Sequence, residues 1–212
     1  MSRTPVNHPI FARFYPPVSQ ALERRGLANR REALLSGLRG EVIEVGAGNG
    51  LTFPHYPLTV ARVLAVEPEA RLRRLAQAAA RKAPVPIEVV GGLACRLPGE
   101  DQTFDAAVLS LVLCSLPDPV AALREIYRVL KPGGQLRFLE HVRADSTALI
   151  RVQRLLDAGV WPRMAGGCHT GRDSAAAIER AGFTMEHLER FLFAGIRTPV
   201  TFFILGTASR AR

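Results

Sequence analysis

Short apolar runs alternate along this chain with segments in which apolar residues recur at helical spacing. Residues 105–113 are apolar almost throughout, which is typical of a central strand covered on both faces. Residues 69–82 instead place Leu72, Leu75 and Ala79 three or four positions apart, which predicts a helix. The predicted strands are 42–45, 61–67, 87–90, 105–113, 135–140, 184–191 and 199–207. The predicted helices are 17–38 with a break near Gly26, 69–82, 118–130, 146–165 and 172–181.

The order of these elements predicts the fold. Up to the fifth strand, strands and helices alternate, which indicates a parallel sheet with right-handed crossovers. The last two strands follow each other without a helix, so we expect them to form an antiparallel hairpin. The sequence therefore predicts an α/β fold with a seven-stranded, mostly parallel sheet and helices on both faces. The helical stretch between strands five and six should lie over the carboxyl edge, where ligands bind in such sheets.

Length and composition place the chain among globular proteins. With 212 residues, of which 48% are hydrophobic, a single domain over 1–212 with a sizeable core is expected. No apolar run approaches the roughly 18 residues that a membrane span needs, and residues 1–9 show no targeting pattern. We therefore expect a soluble, cytoplasmic protein. Because Cys95, Cys114 and Cys168 are far apart, no metal site or disulfide framework is predicted.

The formal net charge of +9 comes almost entirely from arginine, since Lys82 and Lys131 are the only lysines. The arginines are spread along the chain, which is typical of solvated helix faces. Steering of an anionic substrate, or peripheral contact with an anionic surface, is compatible with this charge.

A glycine-rich turn carries the strongest chemical signal. The sequence V-I-E-V-G-A-G-N-G, from Val42 to Gly50, predicts a buried strand followed by a turn that approaches a ligand closely, because glycine lacks a Cβ and tolerates positive φ. Its third glycine comes one residue earlier than in the dinucleotide motif G-x-G-x-x-G. Glu44 precedes the first glycine by two positions, and its carboxylate would repel a pyrophosphate but suits a cationic ligand. The turn therefore argues against a nicotinamide dinucleotide.

Glu67 ends the second predicted strand, 21 residues after Gly46. A carboxylate at that place can accept hydrogen bonds from both hydroxyls of a ribose. Bonds to a charged acceptor contribute about 1.5–3 kcal/mol, so the interaction would matter for affinity.

These motifs carry a resemblance to a known family. The order E-x-G-x-G-x-G, Glu67, F-D-A-A-V-L-S-L-V-L and V-L-K-P-G-G resembles the Rossmann-like (class I) S-adenosylmethionine-dependent methyltransferases between about residues 39 and 140. Further residues are similar to the small alkyl-thiol methyltransferase-like group: Tyr56-Pro57, Leu111 to Ser115, Glu140-His141, Asp157, Trp161, Gly167-Cys168 and Arg172.

The resemblance implies S-adenosylmethionine as the cofactor and a set of residues that bind it. Glu44 would organise the turn and meet the cofactor's ammonium group, Glu67 would bind the ribose, and Tyr15 would close over the cofactor. The remaining contacts would be Gly46, Ala47, Gly48 and Gly50 with the methionine moiety, Pro68, Leu93 and Ala94 with adenine, and Ser110 and Leu111 at the methionine end.

The resemblance also divides the single domain into functional segments. Residues 1–38 would form a helical lid and 39–140 the cofactor-binding core. Residues 141–182 would supply helices on the substrate side, and 183–212 the terminal strands.

The methyl acceptor is expected to be a small molecule. Residues 110–114 read S-L-V-L-C, without the Asn/Asp-Pro-Pro-aromatic motif of many enzymes that methylate amides or base amino groups. No DNA partner is therefore expected, and a thiol, phenol, amine or lipid-like acceptor would receive the methyl group in an SN2 reaction. His141, at the end of strand five, is the candidate general base.

Two other function classes stay open at this point, and the sequence gives no oligomeric state. One is a nicotinamide-dependent oxidoreductase, which shares the first strand, turn and helix. The other is a non-catalytic module that binds RNA or anionic lipid.

Overall fold

A single seven-stranded sheet organises the chain. The computed structural model describes residues 9–159 and 161–212. The strands are β1 Gly40–Val45, β2 Val60–Val66, β3 Ile87–Val90, β4 Phe104–Ser110, β5 Leu130–His141, β6 Thr184–Leu192 and β7 Phe202–Ser209. They lie in the order β3-β2-β1-β4-β5-β7-β6. Strands β1 to β5 are parallel, and β7 runs antiparallel to both β5 and β6. The predicted fold class is confirmed.

Helices cover both faces of this sheet. They are α1 Pro9–Leu22, α2 Ala28–Leu35, α3 Ala70–Ala80, α4 Pro119–Val129, α5 Thr147–Ala158, α6 Trp161–Met164 and α7 Ser174–Arg180. Three of them begin at an acidic N-cap, because Glu69, Asp118 and Asp173 accept a backbone N–H of the first turn. The central strands bury both of their faces, so Ile43 and Leu109 enter one core while Val42 and Val108 enter the other.

The first helical segment differs from its prediction. It begins at Pro9 and continues through Pro16 and Pro17, and a wider turn, Glu23–Leu27, then links it to α2. Gly26 lies in that turn with φ 112°, so the predicted break near this residue is confirmed.

Two predicted boundaries were wrong for a structural reason. The fourth strand stops at Ser110 rather than at residue 113, because the chain turns away from the sheet at Leu111, whose φ is +61°. The predicted helix over 146–165 ends at Ala158, and Trp161–Met164 forms a separate short turn of helix after Gly159.

Within the two described ranges, no helix combines the length and apolar character needed to cross a bilayer. Most of the N-terminal stretch that was expected to carry no targeting segment, residues 1–8, lies outside these ranges.

Candidate active site

The predicted site residues meet at the carboxyl edge of the sheet. Backbone hydrogen bonds join successive strand ends: Gly46 and Ala47 donate to the carbonyl of Val66 at 2.8 and 3.1 Å, and Leu111 donates to that of Leu139 at 2.8 Å. We call residues 46–50 with Glu67 the glycine-turn side. We call residues 110–114 with Glu140 and His141 the His141 side. Motifs that are distant in sequence thus form two neighbouring sides of one site.

The three glycines of the turn have different neighbours. All have positive φ, 74° at Gly46, 58° at Gly48 and 80° at Gly50. A Cβ on Gly46 would lie 2.7 Å from the side chain of Val112, and one on Gly50 would lie 2.9 Å from the ring of Phe53. Gly48 lies beneath the Tyr15 ring, and a Cβ on Gly48 would be 3.4 Å from a carbon of that ring. Close packing therefore requires glycine at 46 and 50, while Gly48 lies under the predicted covering tyrosine.

Glu44 holds the loop that follows the turn. Its carboxylate is buried and accepts hydrogen bonds from the Thr52 hydroxyl at 2.5 Å and the Tyr56 hydroxyl at 2.8 Å. Burial raises the pKa of Glu44, although these two hydroxyls and the nearby charge of Arg31 oppose the shift. This geometry supports the role of Glu44 in organising the turn, and it explains the presence of Tyr56 in the sequence motif.

Glu67 joins the glycine turn to the start of α3. One carboxylate oxygen accepts the N–H of Gly48 at 2.7 Å, and the other accepts the N–H of Glu69 at 2.9 Å. Burial raises the pKa of Glu67 to about 7, and the two backbone donors act against this rise. The residue is buried, with 5% of its surface exposed, so its carboxylate is nearly but not completely enclosed.

The residues predicted to contact adenine lie beyond the ends of β2 and β3. Pro68 is half-buried, and its carbonyl accepts a hydrogen bond from Arg73 at 3.0 Å. Leu93 is 36% exposed, whereas Ala94 packs against the core. These three residues place apolar surface on the same edge as Glu67.

An arginine that sequence reasoning assigned to a solvated face is buried here. Arg31 on α2 donates from Nε to Glu23 at 2.8 Å and from Nη1 to the Ser110 hydroxyl at 2.5 Å. Its helical phase gives the signal that was missed. Arg31 follows Leu27 by four positions and precedes Leu35 by four, so it lies on the buried face of the helix.

Glu140 anchors the segment after β4. Its fully buried carboxylate accepts the backbone N–H groups of Val112, Leu113 and Cys114 at 2.9, 3.0 and 3.3 Å. Burial raises the pKa of Glu140 to about 7, against the effect of these donors. Leu111 enters this segment in the left-handed region, an uncommon conformation for a branched side chain that marks a constrained turn. In the sequence, Glu140 is visible as an acid at the end of an apolar strand, but it was used there only as part of the family resemblance and no anchoring role was predicted for it.

The candidate base His141 lies next to this anchor and is buried. Its Nδ1 is 3.8 Å from the sulfur of Cys168, and its ring lies 5.4 Å from that of Phe203. Among the described residues, its Nε2 is buried without a hydrogen-bond partner. A hydrogen bond with Cys114 lowers the pKa of Cys168, and His141 contributes to this effect while burial opposes it. The Cys168 sulfur and the His141 imidazole thus lie side by side at the end of β5.

The turn over residues 166–172 is fixed against the His141 side. Asp157 accepts the N–H groups of Thr170 and Gly171 at 2.6 and 2.9 Å, and Arg172 donates to the carbonyl of Leu113 at 2.6 Å. Gly167 is required because a Cβ there would lie 2.7 Å from the carbonyl oxygen of Ser115. The later residues of the sequence resemblance therefore act together to position Cys168.

A groove of about 490 Å³ lies beyond the end of β5, beside the end of β6 and the start of β7, and residues 142–145 rather than the His141 side line it. Its lining combines aromatic and cationic side chains, including Phe191, Phe202, Phe203, Arg172, Arg190 and Arg197.

Comparisons with known proteins agree with this architecture. The family profile "Methyltransferase domain" matches residues 43–138. Thiol S-methyltransferase TMT1A of Homo sapiens is 33% identical over 178 residues, covering 77% of this chain and 72% of that protein. Thiol S-methyltransferase TMT1B of Rattus norvegicus is 32% identical over 196 residues, covering 85% and 80%. An S-adenosylmethionine-dependent methyltransferase structure from Mesorhizobium loti superimposes with a TM-score of 0.66 at 22% identity, covering 89% of this chain and 100% of that one.

These findings decide between the function classes that the sequence left open. The enzyme class and the S-adenosylmethionine cofactor predicted from the glycine turn and Glu67 are confirmed. Neither the oxidoreductase nor the non-catalytic alternative is favoured. The chain belongs to the class I S-adenosylmethionine-dependent methyltransferases and resembles the TMT1 thiol S-methyltransferases among them.

Proposed function

We propose that this enzyme methylates the sulfur of a small-molecule thiol and that His141 accepts the thiol proton. The observation that carries the proposal is the buried His141, whose Nε2 has no partner among the described residues at the end of β5. The similarity to proteins named thiol S-methyltransferases favours sulfur over the other acceptors considered.

The glycine-turn side fits the cofactor. Glu44 and Glu67 place two carboxyl groups beside a turn of three glycines with positive φ, which suits a ligand with cationic groups and a ribose. When bound, S-adenosylmethionine supplies a methyl group activated by the positive charge of its sulfur. The proposed binding residues are those predicted from the sequence: Tyr15, Glu44, Gly46, Ala47, Gly48, Gly50, Glu67, Pro68, Leu93, Ala94, Ser110 and Leu111.

On the His141 side, the protein would orient the acceptor and remove its proton. An ordinary thiol has a pKa of about 8.5 and an ordinary imidazole about 6.5, so a nearby imidazole can share the proton near neutral pH. Phe203 and Trp161 would limit the access of water and leave the acceptor sulfur poorly solvated and nucleophilic. The residues 1–38, of which 9–38 are described, would close over the site as a lid through Tyr15.

A product assay tests the acceptor class. Formation of S-adenosylhomocysteine is measured with matched thiols, phenols, amines and phospholipids of similar size. We expect turnover with thiols and little with the other classes. A preference for an amine, a phenol or a phospholipid would contradict the proposal.

A second assay tests His141 with thiols of graded acidity. His141→Ala should lower kcat about 10²–10⁴-fold for an alkyl thiol and much less for an aromatic thiol, which is already largely ionised. Binding of S-adenosylmethionine, measured by calorimetry, should be unchanged. His187→Ala, at an exposed position on β6, is the matched control. An equal loss of kcat for all thiols would assign His141 a structural role instead.

A further inference from the structure

Arg31 is a buried cation on the side of the lid that faces the glycine turn. Its side chain is 4% exposed, whereas the neighbouring Arg24 and Arg25 on the same segment are exposed. A buried guanidinium is costly unless it is paired and hydrogen-bonded. A guanidinium buried at this site therefore needs partners that accept its hydrogen bonds or carry a negative charge.

Two contacts fix the guanidinium without using all of its donors. Glu23 binds Nε at 2.8 Å, and the Ser110 hydroxyl binds Nη1 at 2.5 Å. Within the described ranges, Nη2 makes no hydrogen bond. Since guanidinium carries five N–H groups in a rigid fork, a pair of donors stays available for a planar, anionic group such as a carboxylate.

The contact with Ser110 places Arg31 near the glycine turn, because Ser110 follows Leu109, which pairs with Val45 at the end of β1. The charge of Arg31 lowers the pKa of Glu44 and that of Tyr15, although burial raises both values more strongly. Tyr15 in turn covers Gly48. These effects on Glu44 and Tyr15 agree with the position of Arg31 beside Ser110, the last residue of β4.

The cofactor carries one group that these surroundings would otherwise repel. Its methionine part has an ammonium and a carboxylate. Glu44 and Glu67 favour the positive groups, but both would repel the carboxylate. Arg73, another cation at this edge, is engaged by the carbonyls of Glu67 and Pro68.

We propose that Arg31 binds the carboxylate of the cofactor's methionine moiety, with Glu23 and Ser110 orienting its guanidinium. This rests on the proposed position of the methionine end beside Ser110. It does not depend on the identity of the methyl acceptor.

Calorimetry with two ligands tests the assignment. S-adenosylmethionine and its decarboxylated analogue differ only in the group that Arg31 would bind. The wild type should bind the first more tightly, and Arg31→Met should reduce that preference about ten- to hundredfold. The affinity for the decarboxylated analogue should change little, because that ligand has no carboxylate to lose.

Matched variants separate binding from a structural role. Arg30→Met removes the neighbouring arginine, which pairs with Glu189 at 2.8 Å, and should keep the wild-type ratio of affinities. Ser110→Ala removes the orienting hydroxyl and should give an intermediate ratio. If Arg31→Met does not fold, Arg31→Lys can replace it. Lysine keeps the charge but lacks the planar pair of N–H donors, so it should still reduce the preference for S-adenosylmethionine over the decarboxylated analogue.

A wild-type ratio in the folded Arg31 variant would overturn the proposal. So would an equal loss of affinity for both ligands, because Arg31 would then serve only to hold Glu23 and Ser110. Neither result would affect the thiol proposal, since no methyl acceptor is present in these measurements.

Discussion

The glycine-turn side and the His141 side each contain a glutamate at a strand end that accepts backbone N–H groups. Glu67 accepts two such groups after β2, and Glu140 accepts three near the end of β5. Burial raises the pKa of both to about 7. The two residues thus share the kind of group that they accept, the direction of their pKa shift and a position at the end of a strand.

Exposure separates them. Glu67 keeps 5% of its surface exposed, whereas Glu140 is completely enclosed. A carboxylate with some exposed surface can exchange a backbone donor for a ligand hydroxyl, but an enclosed one can only keep its donors satisfied. We infer that Glu67 serves ligand binding and that Glu140 stabilises the fold. Substitution of Glu67 should therefore lower mainly the affinity for the cofactor, and substitution of Glu140 mainly the free energy of unfolding.

The largest effect is expected from Glu140→Ala. Three buried N–H groups would lose their acceptor, at about 1–3 kcal/mol each, with some offset because a buried carboxylate is also removed. We expect the free energy of unfolding to fall by about 3–5 kcal/mol, measured by urea denaturation. Glu88→Ala, at an exposed position on β3, is the control and should change little. A loss below about 1 kcal/mol would show that Glu140 is not a scaffold.

The next effect concerns the pH dependence of stability. Because the pKa of Glu140 rises from its ordinary value of 4.5 to about 7, the native protein keeps a proton that the unfolded chain releases. The stabilisation that this proton gives to the native protein is complete below about pH 4.5 and is lost as the pH rises to about 7. That loss amounts to about 3 kcal/mol.

Glu140→Gln isolates this contribution, since glutamine cannot titrate. The variant should be less stable than the wild type near about pH 5, and the difference should shrink or reverse near about pH 8. Urea denaturation at both values measures it. A constant difference between the two proteins would mean that Glu140 stays charged in the native state across this range.

The same contrast explains what the sequence could reveal. Glu44 lies within β1, and the glycines and Glu67 directly follow β1 and β2, so local patterns were enough to predict them. The end of β4 at Ser110 was not predictable in this way, because the residue that turns the chain, Glu140, accepts N–H groups 26–28 positions earlier. Arg31 was missed because an arginine on a helix is ordinarily solvated, and only its spacing from Leu27 and Leu35 places it on the buried face. Apolar periodicity identifies elements, but the partners of buried charges are set by tertiary contacts.

The smallest effect, and the most specific, is expected from Glu67→Ala. The two N–H groups that it would release belong to Gly48 and Glu69, which are half-buried, so water can satisfy them and the free energy of unfolding should fall by less than with Glu140→Ala. Affinity for S-adenosylmethionine should instead fall about ten- to hundredfold, as expected for losing about 1.5–3 kcal/mol of charged hydrogen bonding to the ribose. Calorimetry measures the affinity and urea denaturation the stability.

A ligand without the ribose diol sharpens this last comparison. A 2′,3′-dideoxy analogue of the cofactor should bind the wild type and Glu67→Ala with similar affinity, because it offers Glu67 no hydroxyl. If Glu67→Ala left the affinity for S-adenosylmethionine unchanged, the ribose assignment would be wrong. If it instead destabilised the fold as much as Glu140→Ala, both glutamates would be scaffold, and their difference in exposure would have no functional meaning.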